Sequence, residues 1–155
     1  MHLASPSALV ELAYRPELHI VVVRWLGVTS EEEIRRVYAS LEQAAVQQCR
    51  FWLLDARRRP SSSSLTTQWM LGEFAPKMAR QLGGPLYFSY LISPVHLNAA
   101  EEFRKTQEAA TGPHAPYQLH YAIQEGEATD WLLQMQRLDR VPTVTTAEKV
   151  TAAIS

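Results

Sequence analysis

From Asp55 to Ser64 the chain reads Asp-Ala-Arg-Arg-Arg-Pro-Ser-Ser-Ser-Ser, the segment best equipped for chemistry. Asp55 ends the apolar run Phe51-Trp52-Leu53-Leu54, where a carboxylate can serve as a base or metal ligand, act as a cap, or pair with Arg57. Arg57, Arg58 and Arg59 beside a helix N-terminus could hold a phosphate or carboxylate bidentately. Alternatively, Ser61, Ser62, Ser63 or Ser64 could accept a phosphate whose charge that terminus would favour. The same composition also describes a solvated loop whose arginine stems cover apolar surface.

Little else in the chain is reactive. Cys49 is the single cysteine, so it forms no internal disulfide. No histidine neighbours it in sequence, and Arg50 alone would lower its pKa only slightly, which makes it an inert thiol. His2, His19, His96, His114 and His120 lack paired zinc-ligand spacing, and HExxH is absent. No P-loop, GxGxxG or GxSxG occurs either. No catalytic residue, metal or cofactor is therefore expected. Trp69, Trp131, Tyr87, Phe88 and Tyr90 read as core. Their other reading is an aromatic-lined cleft for a small molecule or lipid, beside Trp69 and Phe88.

The elements that must position these residues follow from periodicity. Ala8 to Tyr14 alternates apolar and polar, as a half-buried strand does, and Arg15-Pro16-Glu17 supplies a turn. Leu18 to Leu26 contains Ile20-Val21-Val22-Val23 without alternation, so it should be a central strand covered on both faces. Ser30 and Glu33 form a capping box, opening a helix that should run to about Gln48. Phe51 to Asp55 is a short buried strand. A second helix begins near Leu65 and should kink or divide at Pro76, before Gly83-Gly84-Pro85 stops it. Leu86 to Ile92 is the fourth strand. Asn98 caps a weakly amphipathic helix from Ala99 to about Ala109, whose one large apolar anchor is Phe103. Tyr117 to Gln124 alternates like a strand near the sheet edge, and a closing helix spans about Gly126 to Leu138. The Thr- and Ala-rich segment 141–155 should be a loosely held tail after one domain over residues 1–140.

This order, β-β-α-β-α-β-α-β-α, implies an α/β fold with a mixed, mostly parallel sheet. If the parallel strands add in sequence order, the helices fall on one face. The other face then needs cover, and a second subunit is one way to supply it. The 155 residues carry 15 Lys+Arg against 16 Asp+Glu, so no bulk charge draws the chain to nucleic acid. No apolar run reaches the ~20 residues that span a bilayer, and no secretory signal is legible at the N-terminus. Those features point to a cytoplasmic protein.

Several short segments carry a family resemblance. They are the strand ending Trp25-Leu26-Gly27, the helix start Thr29-Ser30-Glu31-Glu32, Trp52-Leu53-Leu54-Asp55-Ala56-Arg57, and the late Thr129-Asp130-Trp131-Leu132. With the element order, they resemble the STAS fold of anti-sigma-factor antagonists, more narrowly the SpoIIAA-like bacterial proteins, over roughly residues 8–138. The resemblance implies a non-enzymatic module of bacterial signalling that acts through protein–protein contact, centred here on the segment from Asp55 to Thr67. Phosphorylated members of that family carry Asp-Ser-Ser or Asp-Ser-Thr after the third strand, whereas this chain has Asp55-Ala56-Arg57. The usual phosphoacceptor is missing from its place.

Overall fold

Two strands, β2 (Val10–Arg15) and β3 (Ile20–Trp25), fold back on each other with Arg15 opposite Ile20. Pro16 to His19 make the turn. His19 adopts a left-handed φ of 54°, a region in which His is enriched among non-glycine residues. The conformation is pinned from three sides. Cys49 Sγ donates to the His19 carbonyl at 3.1 Å, Gln136 Nε2 donates to it at 3.0 Å, and the His19 ring shares a 2.7 Å hydrogen bond with the Tyr14 hydroxyl.

The computed structural model describes residues 2–27, 29–43, 48–58 and 64–154, without the side chains of 43, 64 and 140–154. After the hairpin come α1 (Glu31–Gln43), β4 (Phe51–Asp55), α2 (Ser64–Trp69), a π-helical turn (Met70–Phe74) and α3 (Ala75–Leu82). β5 (Leu86–Leu91), a 3-10 turn (Pro94–His96), α4 (Leu97–Thr111), β6 (Tyr117–Ala122) and α5 (Glu125–Ile154) complete the chain. A two-residue β1 (His2–Leu3) pairs antiparallel with β2. It is too short for periodicity to reveal.

The six strands form one sheet in sequence order, β1-β2-β3-β4-β5-β6. β1–β2 and β2–β3 are antiparallel, while β3–β4, β4–β5 and β5–β6 are parallel. The fold is thus α/β with a mixed, mostly parallel sheet. β3 is central, and of its six residues only Arg24 is not buried. β6 lies at an edge.

Register sorts the side chains into two faces. Leu12, Trp25, Trp52, Phe88, Tyr90 and Tyr121 share one, on which the crossover helices pack. There Tyr38 of α1 meets Trp25 at 6.2 Å between ring centroids, and Phe74 of the π turn meets Trp52 at 5.7 Å. Ile20, Val22, Leu53, Tyr87 and Ser89 share the other face, which α5 covers. Ser89 Oγ donates to the Ala128 carbonyl at 3.0 Å, and Trp131 lies 6.2 Å from Tyr87. The expectation that every helix falls on one face therefore fails for the last. Among the described residues no parallel strand follows β6, so α5 does not serve as a crossover there and returns across the far side. The apolar second face is covered by the chain's own helix, and the sequence motive for a second subunit falls away.

Local boundaries differ for identifiable reasons. Ser30 caps α1 as expected, accepting from the Glu33 N–H at 3.1 Å, but the Glu33 carboxylate turns to the Ser7 hydroxyl at 3.0 Å instead of closing the capping box. The second helix divides at Pro76, through a π turn closed by the Ala75 N–H bonding the Met70 carbonyl. Proline cannot donate to the carbonyl of Gly72 four residues back, so the regular ladder breaks just there. Asn98 is not a cap. The helix begins at Leu97 behind the 3-10 turn, and His96 in the cap position makes no side-chain cap bond. The closing helix does not end near Leu138: its backbone continues to Ile154. Propagating an existing helix needs no new nucleus, and alanine favours it.

Candidate functional site

Of the segment that looked most chemical, the structure describes the side chains of Asp55, Arg57 and Arg58. Asp55 is 4% exposed and fully engaged. Its Oδ1 accepts from the Arg57 backbone N–H at 3.2 Å and Nε at 2.9 Å, while Oδ2 accepts from Arg57 Nη2 at 2.8 Å and Arg24 Nη1 at 2.5 Å. Arg24 is Asp55's register partner across β3–β4 and extends its other nitrogen to Glu125, the first residue of α5, at 2.8 Å. Burial alone would raise the Asp55 carboxyl, but the hydrogen bonds from Arg57 and Arg24 outweigh it and hold the group below the usual carboxylate range. A carboxylate so stabilised in its charged form is a poor general base. Of the readings open at Asp55, the ion pair with Arg57 is the one the geometry shows.

Arg57 is therefore folded back onto Asp55. Arg58 is exposed. Arg59, Ser61, Ser62 and Ser63 lie outside the described residues, as does the side chain of Ser64, whose backbone opens α2. Trp69 sits on the α1 side of its helix, 6.1 Å from Tyr38 and 5.8 Å from Phe74, with the Arg35 guanidinium 5.3 Å from its ring centroid. Phe88 is fully buried against Trp52. Neither is among the residues that line the cavity between the π turn and α4.

Other reactive groups are also occupied. Cys49 is buried and donates to the His19 and Phe51 carbonyls, and burial pushes its thiol up to about 11. His120 stacks on Trp131 with centroids 4.8 Å apart and planes within 8°. Among the described residues, no cluster of three His, Cys, Asp or Glu could hold a metal ion. Among them also, no helix is long and apolar enough to cross a membrane.

An opening does exist beside the second helix and β5, next to the cleft expected at Trp69 and Phe88 and extending over β6. A cavity of about 740 Å³ lies between the π turn, the β5–β6 surface and α4. Its size falls within the roughly 300–1,000 Å³ of ordinary small-molecule sites. Met70 and Leu71 form one wall, Tyr90, Leu119 and Tyr121 the floor, and Ala100 and Phe103 part of the roof. No Asp, Glu, Lys or Arg lines it. It exists because α4 does not seal its face of the sheet: none of the fifteen residues of α4 is buried. The wall opposite is equally open, since a Cβ placed on Gly72 would meet nothing within 4 Å. Gly72 stands in the π turn that Pro76 provokes, and such turns recur at functional sites.

Polar atoms in the cavity are few and mostly paired. The Tyr117 hydroxyl donates to Gln107 Oε1 at 3.0 Å, tying β6 to α4. The Tyr90 hydroxyl donates to Met70 Sδ at 3.3 Å, tying β5 to the π turn. The Tyr90 and Tyr121 rings stack at 5.5 Å. Of these lining residues, Tyr90 belongs to the aromatic set that the sequence offers for a ligand cleft. The available signal was Phe103, a single large anchor on an otherwise weakly amphipathic helix, which is how a roof over empty space reads.

Comparison with known proteins finds no family model, curated protein or solved structure that matches the chain.

Proposed function

We propose that this protein binds a small apolar molecule in the cavity between the π turn and α4. The observation that carries the reading is a 740 Å³ space lined mainly by apolar and aromatic side chains, free of any acid or strong base. Apolar walls of this kind in an otherwise tightly packed domain leave dispersion and hydration energy unclaimed until something fills them. A few convergent polar groups, here tyrosine hydroxyls, orient what enters. No nucleophile–base–orienter set accompanies the cavity, so the reading is of binding and not of catalysis.

The reading implied by the STAS resemblance, a protein-docking surface from Asp55 to Thr67 in bacterial signalling, has fewer observations behind it. The Arg57 guanidinium is held by Asp55, and Thr66 is buried. Exposed Arg58 is the residue there that favours it.

The test is titration with phenylnaphthylamine, a neutral dye that brightens on leaving water. Wild-type protein should show saturable binding and a rise in melting temperature that follows mass action. Ala100→Phe, on α4 one turn before Phe103, should occupy the space and weaken the dye at least about tenfold while the apo protein still melts cooperatively. Binding that is absent in wild type, or equal in the Ala100→Phe protein, overturns the proposal.

A further inference from the structure

We infer that the cavity selects an uncharged, flat, ring-bearing ligand whose polar atom is held by the Tyr121 hydroxyl; this deepens the binding proposal and rests on it. Three observations converge on that ligand class.

The first is the accounting of tyrosine hydroxyls. Three tyrosines line the cavity, and the hydroxyls of Tyr117 and Tyr90 bond to Gln107 and Met70 across its walls. Tyr121 is different. Its hydroxyl makes no hydrogen bond among the described residues, although burial pushes the phenol up to about 12. A phenol so placed stays neutral and keeps its proton to donate. Tyr121 is half-buried and lines the cavity, so a ligand entering that space can give its hydroxyl the partner the chain does not supply.

The second observation concerns charge. The cation nearest in influence on Tyr121 is Arg104, whose nitrogens are already held by carboxylates. Arg104 Nε and Nη2 bond Glu101 Oε2 at 3.0 and 2.7 Å, and Nη1 bonds Glu108 Oε1 at 2.7 Å. An anionic ligand would therefore enter without a counter-ion, and Glu101 would oppose it. Among the lining residues His96 is the one imidazole, and it is exposed. A cationic ligand fares no better, since no lining carboxylate awaits it. Burying an unpaired charge costs far more than burying a hydroxyl that gains a bond.

The third is shape. Tyr90 and Tyr121 lie nearly parallel, within 30° at 5.5 Å, and Phe103 lines the same space from above. Aromatic faces of this kind favour planar rings, by offset stacking or edge contact, over flexible chains that would lose rotamer freedom on entry.

The experiment compares three probes built on one ring system: phenanthrene, a phenanthrol and a phenanthrenecarboxylate. Wild-type protein should bind the phenanthrol about fivefold to tenfold more tightly than phenanthrene, the worth of one net hydrogen bond. It should bind the carboxylate at least about tenfold more weakly than the phenanthrol. Tyr121→Phe keeps the ring and removes the oxygen. It should reduce the phenanthrol to the affinity of phenanthrene and leave phenanthrene itself unchanged. A preference that survives in the Tyr121→Phe protein overturns the inference, as does a carboxylate that binds as well as the phenanthrol. If phenanthrene and phenanthrol bind wild type equally and Ala100→Phe abolishes both, the cavity reading stands and only the tyrosine inference falls. If no probe binds wild type, both fall together.

Discussion

α4 and α5 lie on opposite faces of one sheet and are held to it in different ways. α5 seals. Ala128 and Leu132 are wholly buried beneath it, and Gln136 bonds the Leu18 and His19 carbonyls at 2.9 and 3.0 Å. Ion pairs fix it at two places: Arg24 to Glu125 at its first residue, and Arg50 to Asp139 further along. The Arg50 guanidinium lies so close to the β5 approach that a Cβ on Gly84 would come within 2.8 Å of it. α4 is held at its margin instead, with no buried residue and with Phe103 only partly buried against the core. Its own ion pairs, Arg104 with Glu101 and Glu108, join neighbouring turns of the same helix and do nothing to seat it on the sheet. The difference shows how one sheet can serve two ends. α5 closes its face of the sheet, and the part of the other face under α4 keeps a space open.

If that contrast is right, truncation should be costly under one helix and cheap under the other. Leu132→Ala should destabilise by about 2–5 kcal/mol, as expected for a fully buried leucine. Phe103→Ala should cost about 1 kcal/mol or less, because an open cavity already adjoins the ring. Denaturant unfolding of both variants checks this, and equal losses would erase the distinction between the faces.

The second expected effect is smaller and concerns the far fastening of α5. Asp139→Asn should cost about 1–2 kcal/mol, since it weakens the bonds from both Arg50 and the Tyr87 hydroxyl. Glu101→Gln on α4 should change global stability by only about 0.5 kcal/mol, as a half-exposed pair within one helix does. The readout is again the midpoint of unfolding, now with amide exchange along α5 to show where protection is lost.

The smallest effect is a pH dependence. Burial against Trp131 lowers the His120 pKa, opposed by Glu101 and Glu127 and helped by Arg104. Above the ordinary histidine value near 6.5 both folded and unfolded states are neutral there, and the contribution is fully present. As pH falls below it, the unfolded chain takes up the proton first, and stability declines until the folded-state pKa has been passed. The Asp55 carboxyl, also lowered, acts in a separate window below about 3.9. His120→Phe should keep the ring stack and remove the decline that sets in below about pH 6.5, measured as the shift in unfolding midpoint. A decline unchanged in that variant would assign it elsewhere.

Much of the framework was legible from residue types alone. The unbroken Ile20 to Val23 run announced a central strand because a sheet face left to water would not be apolar on both sides. Pro76 announced a break, and Ser30 a helix start, through backbone rules that need no tertiary context. The partner for Asp55 was also readable, since Arg57 stands two residues away. Arg24 was not, because it reaches Asp55 only through strand register across 31 residues. α5's position was equally hidden: its side of the sheet depends on there being no further parallel strand, which no local pattern encodes.

The sequence by itself determined the order of the main elements and the buried strands. These follow from periodicity and composition, which act over a few residues. Tertiary structure alone decided which face each helix took, that Asp55 would be bound between two arginines, and that α4 would stand off the sheet around a cavity. Empty space has no residue of its own. It arises where packed elements fail to meet, and distant parts of the chain settle that together.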